Sequence, residues 1–360
     1  MKRLTVYILA RFLGNYALFL MLIMLLAVVF DISQKIDDFL SSGAPLSLII
    51  GDYYIHFIAF YGTTFSALIV FLSTVFFTSR LAAQTELVPM MSGGFSYNRL
   101  LRTYTLGAFL VFLFVLVLSH FVIPMSNVRR LAFESAYISD VQPRDERPVH
   151  IHRQIKPGQY IYLETWSPER QAGYHFTYER MENGVLVQKL SADFIRFDTL
   201  KNRWFLDNYV VRNFKKQGEL VIIGRSMDTV FDFGPQRVLP QKSSIATMHS
   251  LDLWKFLQEE KVSGVESLKN HWMEFHRRTA YPAGTFVLVI IALALASPKR
   301  RGGIGTNIAI GLVLAVVYIF FVQIAGILTA TFYFPPWLSV WTPNLVFGML
   351  AVYMTWKAQK

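Results

Sequence analysis

Few side chains in this sequence stand at the spacings that catalysis requires. His150 and His152 form an H-x-H pair that one face of a strand would present together, and His271, Glu274 and His276 fall close on a helical stretch. Two ligands do not complete a metal centre, and the second set lacks the i, i+4 histidines of H-E-x-x-H, so no metal and no cofactor is expected. No G-x-x-x-x-G-K-[ST] run occurs, so the chain carries no phosphate cradle of its own for ATP. No nucleophile-elbow motif frames a serine, and no catalytic residue is expected. The cysteine count is 0, which excludes disulfides, Cys-ligated zinc and thiol catalysis. His56, His120 and Gln323 lie inside apolar segments, where polar residues are functional suspects by default, yet they form no evident constellation.

The sharpest local signal is the run Gln84-Thr85-Glu86-Leu87-Val88-Pro89-Met90-Met91-Ser92-Gly93-Gly94-Phe95-Ser96. Thr85 is expected to start a short helix, with Glu86 favouring its positive end. Leu87, Met90 and Met91 give it an apolar stripe, and Gly93-Gly94 stop it. Pro89 sits inside that helix, where proline removes a backbone donor beyond the first turn, so the helix either starts later or kinks there. Ser96 then caps a second helix carrying Arg99 and Arg102. A short amphipathic helix of this kind either inserts into a groove on a separate motor subunit or rests on the bilayer surface.

The elements that must position this loop are long apolar runs. They cover about 12–30, 53–78, 104–123, 279–297, 304–328 and 337–356, each long enough to cross a hydrocarbon core of roughly 30 Å as a helix. With 53% hydrophobic and 16% charged residues, and with 31 Phe and 17 Tyr, the chain is too apolar for an ordinary soluble domain. The first run follows Lys2, Arg3 and Arg11, but it is too long for a signal peptide and no A-x-A-like site follows before Asp31, so it is read as an uncleaved first span. Lys and Arg in the short loops orient the chain. Lys2, Arg3 and Arg11; Arg80, Arg99 and Arg102; Lys299, Arg300 and Arg301; and Lys357 and Lys360 fall on one side. Lys35 stands alone on the other, among Asp31, Asp37, Asp38 and Asp52. Both termini are therefore expected in the cytoplasm. Part of the net charge of +11 is this bias and the rest is scattered through the outer domain without a basic stripe, so no nucleic-acid partner is implied.

Between the third and fourth spans lies a polar stretch, 124–250, that reads as successive strands at 159–166, 175–181, 185–197, 204–214 and 219–233. Its breaks fall at Ser167-Pro168, Asn183-Gly184, Lys201-Asn202 and Gln217-Gly218. This is antiparallel β, a sandwich or jelly roll, with its inner groove either filled by its own side chains or open to a lipid. Ser250 is expected to cap a helix ending at Gly264, and a second helical stretch from Ser267 to Arg278 leads into the fourth span. The expected organisation is 1–123, three spans with a cytoplasmic loop at 79–103; 124–250, an outer β domain; 251–278, a helical connector; and 279–360, three more spans.

At these residues the chain resembles the lipopolysaccharide-export permeases, the LptF/LptG family. The likeness covers nearly the whole chain. It rests on the span order, the Glu86-Leu87-Val88 to Gly94-Phe95-Ser96 loop, Arg278 four residues before Pro282, the Lys299-Arg300-Arg301 turn, and Pro335-Pro336 followed by Pro343-Asn344. The resemblance implies a membrane all-α fold of six transmembrane helices with an inserted periplasmic antiparallel jelly-roll-like domain, in the bacterial inner membrane. It further implies an ABC-transporter permease that pairs with a second permease subunit, homologous or identical. A separate cytoplasmic ABC ATPase dimer would dock on Thr85, Glu86, Leu87, Met90, Met91 and Gly94. Lipopolysaccharide would pass from the inner membrane through the subunit pair to the β domain and on to a periplasmic bridge protein. Lys35 matches a family lysine near the lipid's phosphates, and the alternative for it is a lysine snorkelling from a helix end. Arg278 faces the lipid cavity or anchors the fourth span. A scaffold, or an intramembrane lipid-modifying enzyme without an ATPase, is the competing class.

Overall fold

The computed structural model describes residues 2–138, 149–167, 170–198, 201–215, 218–231, 233–234, 245–260, 268–298, 303–331 and 334–358. The Lys299-Arg300-Arg301 turn, Gly264, Ser267 and Lys360 lie outside the described residues. The helices are α1 (Lys2–Ser41), α2 (Leu46–Leu48), α3 (Ile55–Thr64), α4 (Ser66–Ala83), α5 (Leu87–Ser92), α6 (Tyr97–Val117), α7 (Ile123–Tyr137), α8 (Ser250–Glu260), α9 (Leu268–Ala296), α10 (Gly303–Thr331) and α11 (Pro336–Ala358). Two π-helical segments, Ile49–Tyr54 and Leu118–Val122, join α2 to α3 and α6 to α7. Six of the helical rods are long and apolar enough to cross a membrane. The chain divides into two compact units, one of long helices and one containing the strands.

In the helical unit most rods outrun the apolar runs that mark them, but the second is Ser66–Ala83, which starts inside the run 53–78 after a break at Phe65 separates it from α3. The third continues through its π-turn to Tyr137, and the fourth begins at Leu268 without a break at Arg278. Lipid tails are as apolar as leucine, so close packing and interhelical hydrogen bonds hold such rods together. Small residues allow the approach: a Cβ on Gly107 would lie 2.6 Å from the Phe12 ring, and one on Gly284 2.5 Å from the Tyr318 hydroxyl oxygen. Hydrogen bonds then cross between rods. Tyr16 meets Ser66 at 2.6 Å, Thr78 meets Tyr104 at 2.9 Å, and Asn307 donates to Ser79 at 3.0 Å. Tyr318 donates to Asn344 Oδ1 at 3.0 Å while Asn344 Nδ2 donates to the Ala280 carbonyl at 2.7 Å, tying α9, α10 and α11 together beside Pro282 and Pro343. In α4 and α9, 67% of the most apolar window is buried, against 17% in α1 and 22% in α10. The first pair is central, and the second presents bare apolar faces outward.

The other unit is built on six antiparallel strands: β1 (Val149–Lys156), β2 (Gln159–Ser167), β3 (Ala172–Glu182), β4 (Val185–Asp198), β5 (Arg203–Lys215) and β6 (Gly218–Thr229). They form one sheet in sequential order. Asn183 and Gly184, both at positive φ, make the two-residue turn between β3 and β4, the backbone that an Asn-Gly pair favours.

Apolar rows run across the sheet. One is Ile161, Tyr178, Leu190, Val211 and Ile222; the next is Leu163, Phe176, Ala192, Tyr209 and Gly224. The third buried row, Trp166, Gly173, Ile195, Leu206 and Met227, follows after three residues instead of two. Strict alternation would place it on the opposite face. The skipped positions include His175 and Asn208, both left-handed at φ 52° and 49°, which turn the chain so that all three rows share one core.

Trp166 on β2 and Trp204 on β5 have ring centroids 6.1 Å apart, whereas three strand spacings in a flat sheet come to about 14 Å, so the sheet curls over its own inner face. Phe231 and Phe233, beyond β6, close over that face: Phe231 meets Phe176 and Tyr178, and Trp204 Nε1 donates to the Phe233 carbonyl at 2.9 Å. At this end the groove is filled by its own side chains. On β6 the inner face is open, with Leu220 51% and Ile222 46% exposed.

Candidate functional site

The loop from α4 to α6 is built by two successive helix stops. At the end of α4 the Glu86 amide donates to the Leu81 carbonyl and the Thr85 amide to the Ala82 carbonyl, the paired bonds of a Schellman ending. Thr85 occupies its left-handed position at φ 58°. At the end of α5 the pattern repeats, with Phe95 donating to Met90, Gly94 to Met91, and Gly94 at φ 88°.

Thr85 therefore does not start the short helix, contrary to the reading from sequence. Threonine suits an N-cap, but here it closes the preceding helix, and Glu86 takes the N-cap position without a side-chain cap bond. This resolves Pro89, which becomes the third residue of α5, within the first turn, where the amide has no intrahelical partner to lose. Leu87 is 4% exposed and packs with Met90 into the core that holds Leu81, Phe95 and Leu100. Val88 at 64% and Met91 at 46% face outward. The apolar residues thus serve two faces, one anchoring α5 to its own bundle and one left bare.

A second polar group sits at the opposite end of α1. Lys35 Nζ lies 2.8 Å from Asp31 Oδ1, also contacts the Tyr53 hydroxyl, and stands 4.8 Å from the centre of the Tyr53 ring. Tyr53 and Tyr54 each donate to Asp31 at 3.2 Å. The π-turn at Ile49–Tyr54 holds these adjacent tyrosines, and Phe39, Phe57 and Phe133 pack around them. The sequence sets Lys35 among four aspartates without choosing one, and the structure selects Asp31. The i, i+4 spacing of Asp31 and Lys35 on one helix was the signal that could have found it.

Arg278 is buried at 6% exposure. Its NH1 donates to the Met248 carbonyl at 2.8 Å and to Ser250 Oγ at 2.9 Å, and its Nε lies 3.4 Å from Glu274. Glu274 also holds Arg277 at 2.5 Å, so one carboxylate serves two guanidiniums beside a pocket of 90 Å³ lined by Thr63, Thr64 and Tyr281. His120, on the second π-turn, bridges Ser250 at 2.9 Å and Thr279 at 3.3 Å, whereas His56 meets Ser126 and Gln323 is exposed. His150 bonds the Tyr162 hydroxyl at 2.8 Å, and the His152 ring packs on the Tyr162 ring at 4.5 Å. Among the described residues no group of three His, Asp or Glu stands close enough to hold a metal ion.

Six membrane-length helices, an antiparallel β domain inserted after the third, and a short capped helix between the second and third define a multi-pass membrane protein with one inserted domain. The family model described as lipopolysaccharide export system permease LptF/LptG matches residues 6–357, and the chain belongs to that family. It is thus a multi-pass inner-membrane permease for lipopolysaccharide export. No curated protein matches the chain.

Proposed function

We propose that this permease is energised by a separate cytoplasmic ABC ATPase dimer that docks on α5, with Glu86, Val88 and Met91 as the contact face and Leu87 and Met90 as its anchor. The observation that carries this reading is the split of α5 into a buried side and a bare apolar side. A helix resting on lipid would not need a rigid stop at each end, whereas a helix that passes force between proteins does. Thr85 and Gly94 act through those stops and need not touch the partner. On this reading the termini and the α5 loop are cytoplasmic and the strands are periplasmic, following the basic residues of the short loops.

The exposed apolar faces of α1 and α10 suit pairing with a second permease subunit, homologous or identical, around a cavity for lipopolysaccharide. Lys35 stands at the outer end of α1, where a lipid phosphate would meet an ammonium already held in place by Asp31. Arg278 and Arg277 outnumber Glu274 by one charge and give a second site suited to an anionic group. The lipid then passes to the β domain, whose inner face is open along β6, and from that edge to a periplasmic bridge protein.

The test is an affinity pull-down from detergent-solubilised native membranes, with ATPase activity assayed and Glu86→Ala run alongside. Co-purification of a soluble ATPase, reduced about tenfold in the variant, is expected for loss of a charged contact at an interface centre. Equal ATPase recovery with Glu86→Ala removes α5 from the docking surface, and recovery of the chain without any ATPase overturns the energising mechanism.

A further inference from the structure

Tyr7, Arg11 and Asn15 stand at i, i+4 and i+8 on α1, facing Arg80 and Gln84 in the last turns of α4. Together with Glu86 these residues line a cavity of 230 Å³. A second recess of 340 Å³ shares Tyr7, Arg11 and Asn15 and runs on along α1 past Gly14 to Leu18. Polar lining therefore passes directly into apolar lining along one helix. Arg11 and Arg80 are exposed, and among the described residues neither is ion-paired. Arg11 is steadied by the Tyr7 ring, 5.3 Å from its guanidinium carbon. Glu86 is the acidic residue of the cavity, so two guanidiniums against one carboxylate leave it positive. Apart from its chain neighbours and its own helix backbone, nothing stands within 4 Å of where a Cβ on Gly14 would be, and Leu18 is 56% exposed, so the apolar arm is open.

We propose that this cleft binds one anionic phospholipid, with its phosphate between Arg11 and Arg80 and an acyl chain along Gly14 and Leu18. Arginine pairs with phosphate through two parallel hydrogen bonds, and basic pockets between spans at a membrane surface select anionic headgroups. The adjoining apolar arm favours a lipid over a free phosphate, which has nothing to place there. A lipid in this cleft lies against Glu86, one residue before α5, so its presence bears on the same loop as the docking proposed above. The inference rests on that reading only for which leaflet supplies the lipid.

Native mass spectrometry of the full-length chain in detergent tests it, titrating phosphatidylglycerol, phosphatidylcholine with matched chains, and inorganic phosphate separately. The expected result is one retained phosphatidylglycerol per chain, no comparable retention of phosphatidylcholine or phosphate, and about a tenfold loss in Arg11→Gln/Arg80→Gln with Arg102→Gln unchanged. Gly14→Leu, which fills the apolar arm and leaves both arginines, weakens phosphatidylglycerol in the same assay and serves if the double variant melts early. Equal loss in Arg102→Gln means diffuse surface charge and overturns the site, as does binding of phosphate alone or equal retention of both lipids. ATPase co-purification is a separate readout, so the lipid site and the docking face can fail independently.

Discussion

Asp31 lies one helical turn before Lys35, and the two tyrosines that reach it come from a different helix. An ammonium with a carboxylate at 2.8 Å is locally neutral, so any lipid phosphate that approaches Lys35 competes with Asp31 for it. The pair also has a structural role. Removing Asp31 leaves a half-buried ammonium among aromatic rings, and breaking such pairs one side at a time costs up to about 3 kcal/mol, less here because Lys35 keeps some access to solvent. Asp31→Ala is therefore expected to lower the melting temperature in detergent more than Asp31→Ala/Lys35→Ala does. Additive losses in the double variant would show that the two side chains stabilise the fold independently. The isolation of Lys35 among acids is legible in the sequence, and helical spacing narrows its partner to Asp31 at i−4 or Asp38 at i+3, but only the inward turn of Asp31 toward Tyr53 and Tyr54 decides between them.

Among elements, helix junctions and sheet corners are where local chemistry and tertiary geometry disagree. Five of the six strands follow the apolar and turn signals closely, since the sequence separates them at Ser167-Pro168, Asn183-Gly184, Lys201-Asn202 and Gln217-Gly218. β1 escaped because His150, His152, Arg153 and Lys156 dilute its alternation. The one-residue slip at His175 and Asn208 escaped for a different reason: left-handed backbone at a non-glycine residue is imposed by the sheet it belongs to. Thr85 is the same lesson in a helix, where the residue type suits an N-cap and the fold uses it as a stop. In the membrane, packing is set by small residues whose neighbours sequence cannot name. Gly284→Ala would press a methyl group against the Tyr318 hydroxyl and the Asn344 amide oxygen, at 2.5 and 3.1 Å, and overpacking of this kind costs about 1–3 kcal/mol. Gly326 has open space at its Cβ position, so Gly326→Ala is the control. A melting temperature lowered only by Gly284→Ala is expected, and equal melting in both means α9 and α10 adjust without strain.

At the scale of the whole molecule, the alternation of long apolar rods with one inserted domain was the most legible feature, because crossing lipid imposes a length and composition that few other demands impose. Sidedness follows from scattered basic residues and is open to direct measurement. With no native cysteine, Asn183→Cys in the β3–β4 turn and Ser92→Cys at the end of α5 each give a unique thiol. A membrane-impermeant maleimide applied to spheroplasts is expected to label the Asn183→Cys chain at once and the Ser92→Cys chain only after lysis. The opposite pattern would invert the orientation and remove both the ATPase docking and the periplasmic hand-off.

The two helix stops that frame α5 carry a further implication. Because each stop uses a fixed count of residues, the loop has no slack, and the compass bearing of α5 is set by chain length alone. One residue added between Thr85 and Leu87 would turn every side chain of α5 by about 100° about its axis. Leu87 would leave its pocket, and Val88 and Met91 would no longer point outward. If α5 is the docking element proposed above, the loop works as a keyed shaft, and its service as a transmitter is inseparable from its intolerance of any change in length.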